Sequence, residues 1–204
     1  MTETSIQKWG YHGERNEPVT GVVRLNLGCG RNPIPGWINV DVRAGPGVDV
    51  HADLDGPGCL GEIARDGSVD EVKALGLLEH LPHYENLVLE VARVLRQGGR
   101  FEIRVPYRMD YVAYHVRHFD KGTFNPWRSD YAPRELDLVR RPHSYGSLEF
   151  SAPYFTEEEK WVQHWIPFSW HVQKYLHLNI TKLPLGRRLN LHLILRRNDN
   201  PWKP

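Results

Sequence analysis

The stretch Val22-Val23-Arg24-Leu25-Asn26-Leu27-Gly28-Cys29-Gly30, continued after a short break by Trp37-Ile38-Asn39-Val40-Asp41, decides how this chain is read. A largely apolar run that gives way to two glycines one residue apart predicts a buried strand and a tight turn, and the second run predicts another strand ending in an acid. Glycines at 28 and 30 let the backbone bend sharply and approach a ligand with no Cβ in the way. The carboxylate of Asp41, at the end of the second strand, is placed to accept from a ribose diol. The order predicts a pocket shaped for a nucleoside.

What the turn lacks narrows the ligand. A dinucleotide fingerprint carries a third glycine three residues after the second, beneath the pyrophosphate. Pro33 stands at that place. The segment Arg31-Asn32-Pro33-Ile34-Pro35-Gly36 holds two prolines, so no long helix starts directly after the turn to aim its N-terminus at phosphates. A ligand with a ribose but no phosphate fits better, and S-adenosylmethionine is such a ligand.

Leu25-Asn26-Leu27-Gly28-Cys29-Gly30 with Asn39-Val40-Asp41 downstream resembles the first motif and second-strand acid of class I S-adenosylmethionine-dependent methyltransferases. The resemblance continues in order. His51-Ala52-Asp53-Leu54 is similar to the short third strand and the acid-plus-apolar pair set against adenine. Residues 68–81, ending Leu78-Glu79-His80-Leu81, are similar to the fourth strand and the Glu-His-Leu step after it. Residues 90–106 are similar to a helix, a glycine turn and a fifth strand. These blocks span residues 22–106, about 40 per cent of the chain.

The resemblance implies an α/β fold: a Rossmann-like doubly wound sheet, mostly parallel with an antiparallel last strand beside the fifth, plus an aromatic-rich cap inserted after the fifth strand. Periodicity agrees. Leu87, Val88, Val91, Val94 and Leu95 recur at helical spacing, and Gly98-Gly99 predicts the end of that helix. Val22 to Leu27 and Val72 to Leu78 read as buried parallel strands. Trp161 to Phe168 reads as a sixth strand, and Leu189 to Leu195 alternates like a half-buried final one with Asn190 and His192 outward.

At 204 residues the chain is expected to form one domain. Its parts are an N-terminal arm (1–20), a cofactor-binding core (21–106), a cap and sixth-strand region (107–186), and a last strand and tail (187–204). Trp9-Gly10-Tyr11 in the arm is a candidate lid. Lysine and arginine number 26 against 25 acids, a formal charge of +1 with 11 histidines neutral, so no overall field favours nucleic acid. Two cysteines, one of them inside the cofactor turn, argue against a disulfide framework and for a reducing compartment. No apolar run suits a signal peptide or a membrane span. A cytoplasmic protein is expected, monomeric or dimeric.

Residues just past strand ends face the ligand in a parallel α/β sheet. Gly28, Cys29, Gly30, Asp41, Val42, Asp53, Leu54, Leu78 and Glu79 are the resulting cofactor candidates. Asp53 reads either as an acceptor from the adenine amino group or as a turn-capping acid. Asn26 stands where many relatives carry an acid toward the methionine ammonium; an amide still accepts a hydrogen bond, but without charge.

For catalysis the candidates are His80 and His115. A neutral imidazole at His80 can take a proton from a substrate hydroxyl or amine, while in related folds the same position only walls the methionine end. The segment from Tyr107 onward is crowded with Tyr, His, Phe and Trp, and His115-Val116-Arg117-His118-Phe119 resembles an element of small bacterial methyltransferases of surface-sugar or specialised metabolism. Tyr107, Tyr111, Arg117 and His118 are the substrate candidates, with Arg117 able to hold a carboxylate or phosphate bidentately. The alternative is that these aromatics pack the segment onto the sheet. No metal is expected: His115 and His118 make one pair, and Glu79-His80 with His83 lacks the zincin order, with Pro82 against the helix it needs.

These residues predict methyl transfer from S-adenosylmethionine to a hydroxyl or amine of a small molecule, sugar or specialised metabolite. The alternatives are a nucleic-acid or protein methyltransferase, or a protein that uses the cofactor for non-methylating chemistry. The base-flipping Asn/Asp-Pro-Pro-aromatic motif is replaced here by Glu-His-Leu-Pro.

Overall fold

A computed structural model describes residues 21–107, 113–130, 154–165 and 187–199. The candidate lid at Trp9-Gly10-Tyr11 and the substrate candidate Tyr111 lie outside the described residues.

Seven strands form one sheet: β1 (Arg24–Leu27), β2 (Ile38–Asp41), β3 (Val50–His51), β4 (Val69–Leu75), β5 (Leu95–Pro106), β6 (Phe155–Trp165) and β7 (Arg187–Arg197). Their spatial order is β3-β2-β1-β4-β5-β7-β6. The pairs from β3 through β5 are parallel. Strand β7 is antiparallel to both of its neighbours and sits between β5 and β6. The last strand in the chain is thus slotted beside the fifth, as the resemblance implied.

The core explains the order. Leu25 and Leu27 of β1, Val72 and Ala74 of β4, and Phe101, Ile103 and Val105 of β5 are all fully buried. On β7, Leu191, Leu193 and Leu195 are buried while Asn190, His192 and Ile194 between them are partly exposed. This is the period-two pattern of a strand with one covered face, and the register Ile103↔Leu193 and Val105↔Leu191 stacks apolar side chains across the pair. Helix α1 (Tyr84–Val94) buries Leu87, Val88, Val91, Ala92 and Val94.

Several boundaries differ from those read along the sequence: β6 begins at Phe155, ahead of Trp161, and two further differences trace to glycines. Helix α1 stops at Val94, and β5 begins at Leu95, so Gly98-Gly99 does not cap the helix. Leu95 pairs with Val69 and Arg100 with Glu71, leaving Arg96 to Gly99 as a bulge in the strand. Gly98 has φ 72° there, a conformation that costs an L side chain strain. Strand β4 covers Val69–Leu75 rather than Val72 to Leu78, because Gly76 (φ 76°) turns the chain and donates to the Arg104 carbonyl at 2.8 Å.

The described part of the aromatic segment closes over the same core. Phe119, Phe124 and Trp127 are each 1 % exposed. Phe119 and Phe124 stack at 5.7 Å between centroids, and Tyr84 at the start of α1 meets both edge-on. Their size and burial make them packing residues. Among the described residues no helix is long and apolar enough to cross a membrane, which says nothing of a β-barrel.

Candidate active site

The cavity lies beyond the carboxyl ends of β1, β2, β3 and β4, where the strand order reverses. Its volume is about 1260 Å³.

Gly28 and Gly30 form one wall, both with positive φ, at 64° and 54°. A Cβ on Gly28 would lie 2.7 Å from Leu77 Cδ1, so the β1 turn and the segment after β4 approach more closely than any side chain permits. A Cβ on Gly30 would meet nothing within 4 Å; its backbone faces open space on the cavity side. The turn is tied to β2 by hydrogen bonds. Cys29 N donates to the Val40 carbonyl at 3.1 Å, and Gly30 N donates to Asp41 Oδ2 at 2.8 Å. Asp41 Oδ1 accepts from Arg43 N at 2.9 Å. Each carboxylate oxygen has a second lone pair, so Asp41 is held in one orientation while keeping acceptor capacity for a diol.

The rest of that end combines apolar and acidic residues with Arg31 and Arg43. Val42, Val48, Ala52, Leu54 and Leu77 line it, surfaces suited to a flat purine. Asp53 also lines it and accepts from Asp55 N at 3.0 Å, so its carboxylate serves the turn. Asp55 accepts from His83 N at 2.7 Å and pairs with His83 Nδ1 at 2.9 Å. Burial alone would raise its carboxyl, but the His83 contacts outweigh it and hold it below the ordinary aspartate value.

Four cofactor candidates sit elsewhere. Asn26, 4 % exposed, donates to Asn39 Oδ1 at 2.9 Å and to the Asn32 carbonyl at 3.2 Å, which braces the turn from behind. Cys29, Leu78 and Glu79 are buried and do not line the cavity. Burial pushes both thiols up, Cys29 above its ordinary value and Cys59 to about 12. Three units mean about a thousandfold less Cys59 thiolate at neutral pH. Cys59 in the native protein should therefore resist iodoacetamide for hours at pH 8 and react fully in urea; rapid native alkylation, read by mass spectrometry, would contradict this burial.

The opposite end of the cavity is made by the short 3-10 turn Leu78–His80 and the segment that follows β5. Val116 N donates to the Glu79 carbonyl at 2.8 Å, as does Arg117 N at 3.4 Å. That strap sets Tyr114 and His115 against His80: the His80 ring stacks on Tyr114 at 5.5 Å and 22°, and meets the His115 ring at 4.7 Å and 70°. His80 Nδ1 lies 3.3 Å from the Tyr114 carbonyl. A carbonyl can only accept, so the proton of a neutral ring sits on Nδ1 and Nε2 carries the lone pair. His80, Tyr114, Leu81 and Pro82 line the cavity.

The other substrate candidates are distributed differently. Tyr107 is 6 % exposed in the core and bridges to Phe119. Arg117 donates through Nε to the Pro82 carbonyl at 2.9 Å, through a second nitrogen to the same oxygen, and lies over the Tyr84 ring. His118 is exposed. Sequence reasoning passed over Leu77, Arg31, Arg43 and the loop from Ala44 to Val48 as lining residues. Their place just past strand ends was the available signal.

The cleft of this doubly wound sheet offers a glycine turn, a fixed acid and an apolar wall, with Arg31 and Arg43 beside them. Comparison with known proteins adds the following likenesses. Residues 59–103 match the family described as a methyltransferase domain. Among solved structures, an S-adenosylmethionine-dependent methyltransferase from Mesorhizobium loti is 17 % identical, with 89 % of this chain and 94 % of that one covered and a TM-score of 0.47. The 1,6-didemethyltoxoflavin-N1-methyltransferase of Burkholderia thailandensis, determined with 1,6-didemethyltoxoflavin and S-adenosylhomocysteine bound, is 17 % identical over 96 % of this chain and 77 % of that one, with a TM-score of 0.49. No curated protein matches the chain. The matched segment, 45 of the chain's 204 residues, is similar to part of a methyltransferase domain.

Proposed function

We propose that this chain is a class I S-adenosylmethionine-dependent methyltransferase that methylates a hydroxyl or amine of a small molecule, with the acceptor held between S-adenosylmethionine and the wall formed by His80, Tyr114 and Pro82. The observation that carries the reading is that the nucleoside end and the His80 end belong to one cavity of about 1260 Å³. Ligand pockets typically measure about 300 to 1,000 Å³, so this one has room for a cofactor and a compact acceptor together. A sugar or planar specialised metabolite suits a wall of stacked rings.

Within this reading the roles divide by position. Gly28 and Gly30 admit the cofactor's backbone-facing edge, Asp41 accepts from its ribose, and Leu54 with Leu77 flanks its base. Methyl transfer is chiefly a matter of alignment, which the strap over His80 supplies. The proton of a hydroxyl acceptor leaves toward His80, whose Nε2 lone pair is available. A protein of near-zero net charge suits a small acceptor better than nucleic acid, and a cytoplasmic location fits two unpaired thiols.

The test is release of S-adenosylhomocysteine from S-adenosylmethionine across a panel of phenols, sugars and amines. Turnover confined to polymers would overturn the small-molecule reading. With a hydroxyl acceptor, His80→Ala should lower kcat by about 10²-fold with KM for S-adenosylmethionine little changed. Near-normal turnover at saturating acceptor would make His80 a wall.

A further inference from the structure

At the cavity wall lies a group of side chains of which methyl transfer as described uses only His80. Glu79, His80 and His115 each offer a ligand atom, and the three atoms lie within 4.8 Å of one another. Glu79 is 4 % exposed, and its Oε2 is buried with no hydrogen-bond partner among the described residues. A buried carboxylate oxygen left unsatisfied is costly, because it loses water and gains nothing in return. No other buried side-chain oxygen or nitrogen among the described residues is in this state. An oxygen of this kind beside two imidazoles is what a cation would satisfy.

The supporting shell is also in place. A metal-ligating histidine typically donates its other ring N–H to a carbonyl or carboxylate, which fixes the tautomer and strengthens the ligand nitrogen. His80 Nδ1 makes such a contact with the Tyr114 carbonyl, so Nε2 is the ligand atom. The hydrogen bonds from Val116 and Arg117 to the Glu79 carbonyl hold the strap bearing His115 against the turn bearing Glu79 and His80, so the three donors come from two tied segments.

We propose that Glu79, His80 and His115 form a site for a divalent transition metal of the zinc class, at the acceptor end of the cavity. One carboxylate and two imidazoles suit Zn²⁺, Co²⁺ or Fe²⁺, whereas Mg²⁺ and Ca²⁺ prefer all-oxygen sets. Three protein ligands leave a position open, and His80 lines the cavity, so the site borders the space for the acceptor. The inference rests on the methyl-transfer reading for its purpose: the cation would orient an acceptor hydroxyl and lower its pKa so that its proton passes to solvent water, and with the metal bound His80 would act as a ligand in place of a base.

The experiment uses untagged full-length protein stripped with chelator, titrated with Zn²⁺ and separately with Mg²⁺ by calorimetry. One Zn²⁺ per chain is expected, with binding weakened by about tenfold or more in Glu79→Gln and in His115→Ala, and with no comparable Mg²⁺ uptake. The Co²⁺-loaded wild type keeps the test independent of variant folding: a visible ligand-field spectrum without a thiolate charge-transfer band is expected. Absence of Zn²⁺ uptake, uptake unchanged in both variants, preference for Mg²⁺, or a thiolate band implicating Cys29 or Cys59 would each overturn the site. S-adenosylhomocysteine is titrated into the same metal-free wild type. Binding there without metal uptake overturns the metal site alone, whereas failure to bind it overturns the methyl-transfer reading.

Discussion

Replacing Asp41 by alanine weakens binding of S-adenosylhomocysteine by about 1 to 3 kcal/mol, or roughly 5- to 150-fold in Kd. The magnitude follows from two losses. A charged acceptor on the ribose hydroxyls disappears, and so does the bond from Gly30 N that ties the glycine turn to the end of β2. Asp41→Asn separates them, since an amide oxygen can still accept from Gly30 N but brings no charge; its loss should fall between wild type and Asp41→Ala. Calorimetry that finds all three proteins alike would sink the ribose assignment. If Asn matches Ala, charge carries the effect; if Asn matches wild type, geometry does.

Trp127→Ala should cost about 3 to 5 kcal/mol of stability, the usual range for removing a fully buried aromatic side chain. A domain is stable by only about 5 to 15 kcal/mol, so the variant would lose roughly a fifth or more of its margin. Trp127 belongs to the buried cluster that includes the strands, α1, Phe119 and Phe124, and no collapse of neighbours readily fills a gap of indole size. Tyr114→Ala is the contrast. Tyr114 is 68 % exposed, and its removal should change stability by no more than about 0.5 kcal/mol. Urea unfolding reads both as shifts of midpoint at constant slope. A Trp127→Ala loss below about 1 kcal/mol would mean that the aromatic segment rests on the sheet rather than completing its core.

That contrast shows how far sequence reading reached into the segment after β5. Composition marked it as aromatic-rich, yet composition does not sort rings by direction. Tyr107, Phe119, Phe124 and Trp127 point into the core while Tyr114 walls the cavity. The spacing between them has neither the period of a helix nor that of a strand, so no periodic argument could separate the two sets. The glycine bulge in β5 was hidden for a related reason. A helix ending at Gly98-Gly99 and a strand interrupted there look the same along the chain, and only the pairing of Leu95 with Val69 distinguishes them.

The sequence by itself determined the cleft at the ends of the first strands. Two glycines after an apolar strand, an acid at the end of the next, and a proline where a dinucleotide turn needs glycine are local facts, because a strand and its turn place neighbours at fixed offsets. Asn26 shows the edge of that reach: its position by the turn was legible, but its direction, into the buried contact with Asn39, was not. What the tertiary structure decided was the far end of the cavity. His80 and His115 are separated in the chain by all of α1 and β5, and backbone bonds from Val116 and Arg117 to Glu79 bring their rings together edge to face. Glu79 became an unsatisfied buried acid only through that packing, and no spacing rule connects residues that meet across a sheet edge.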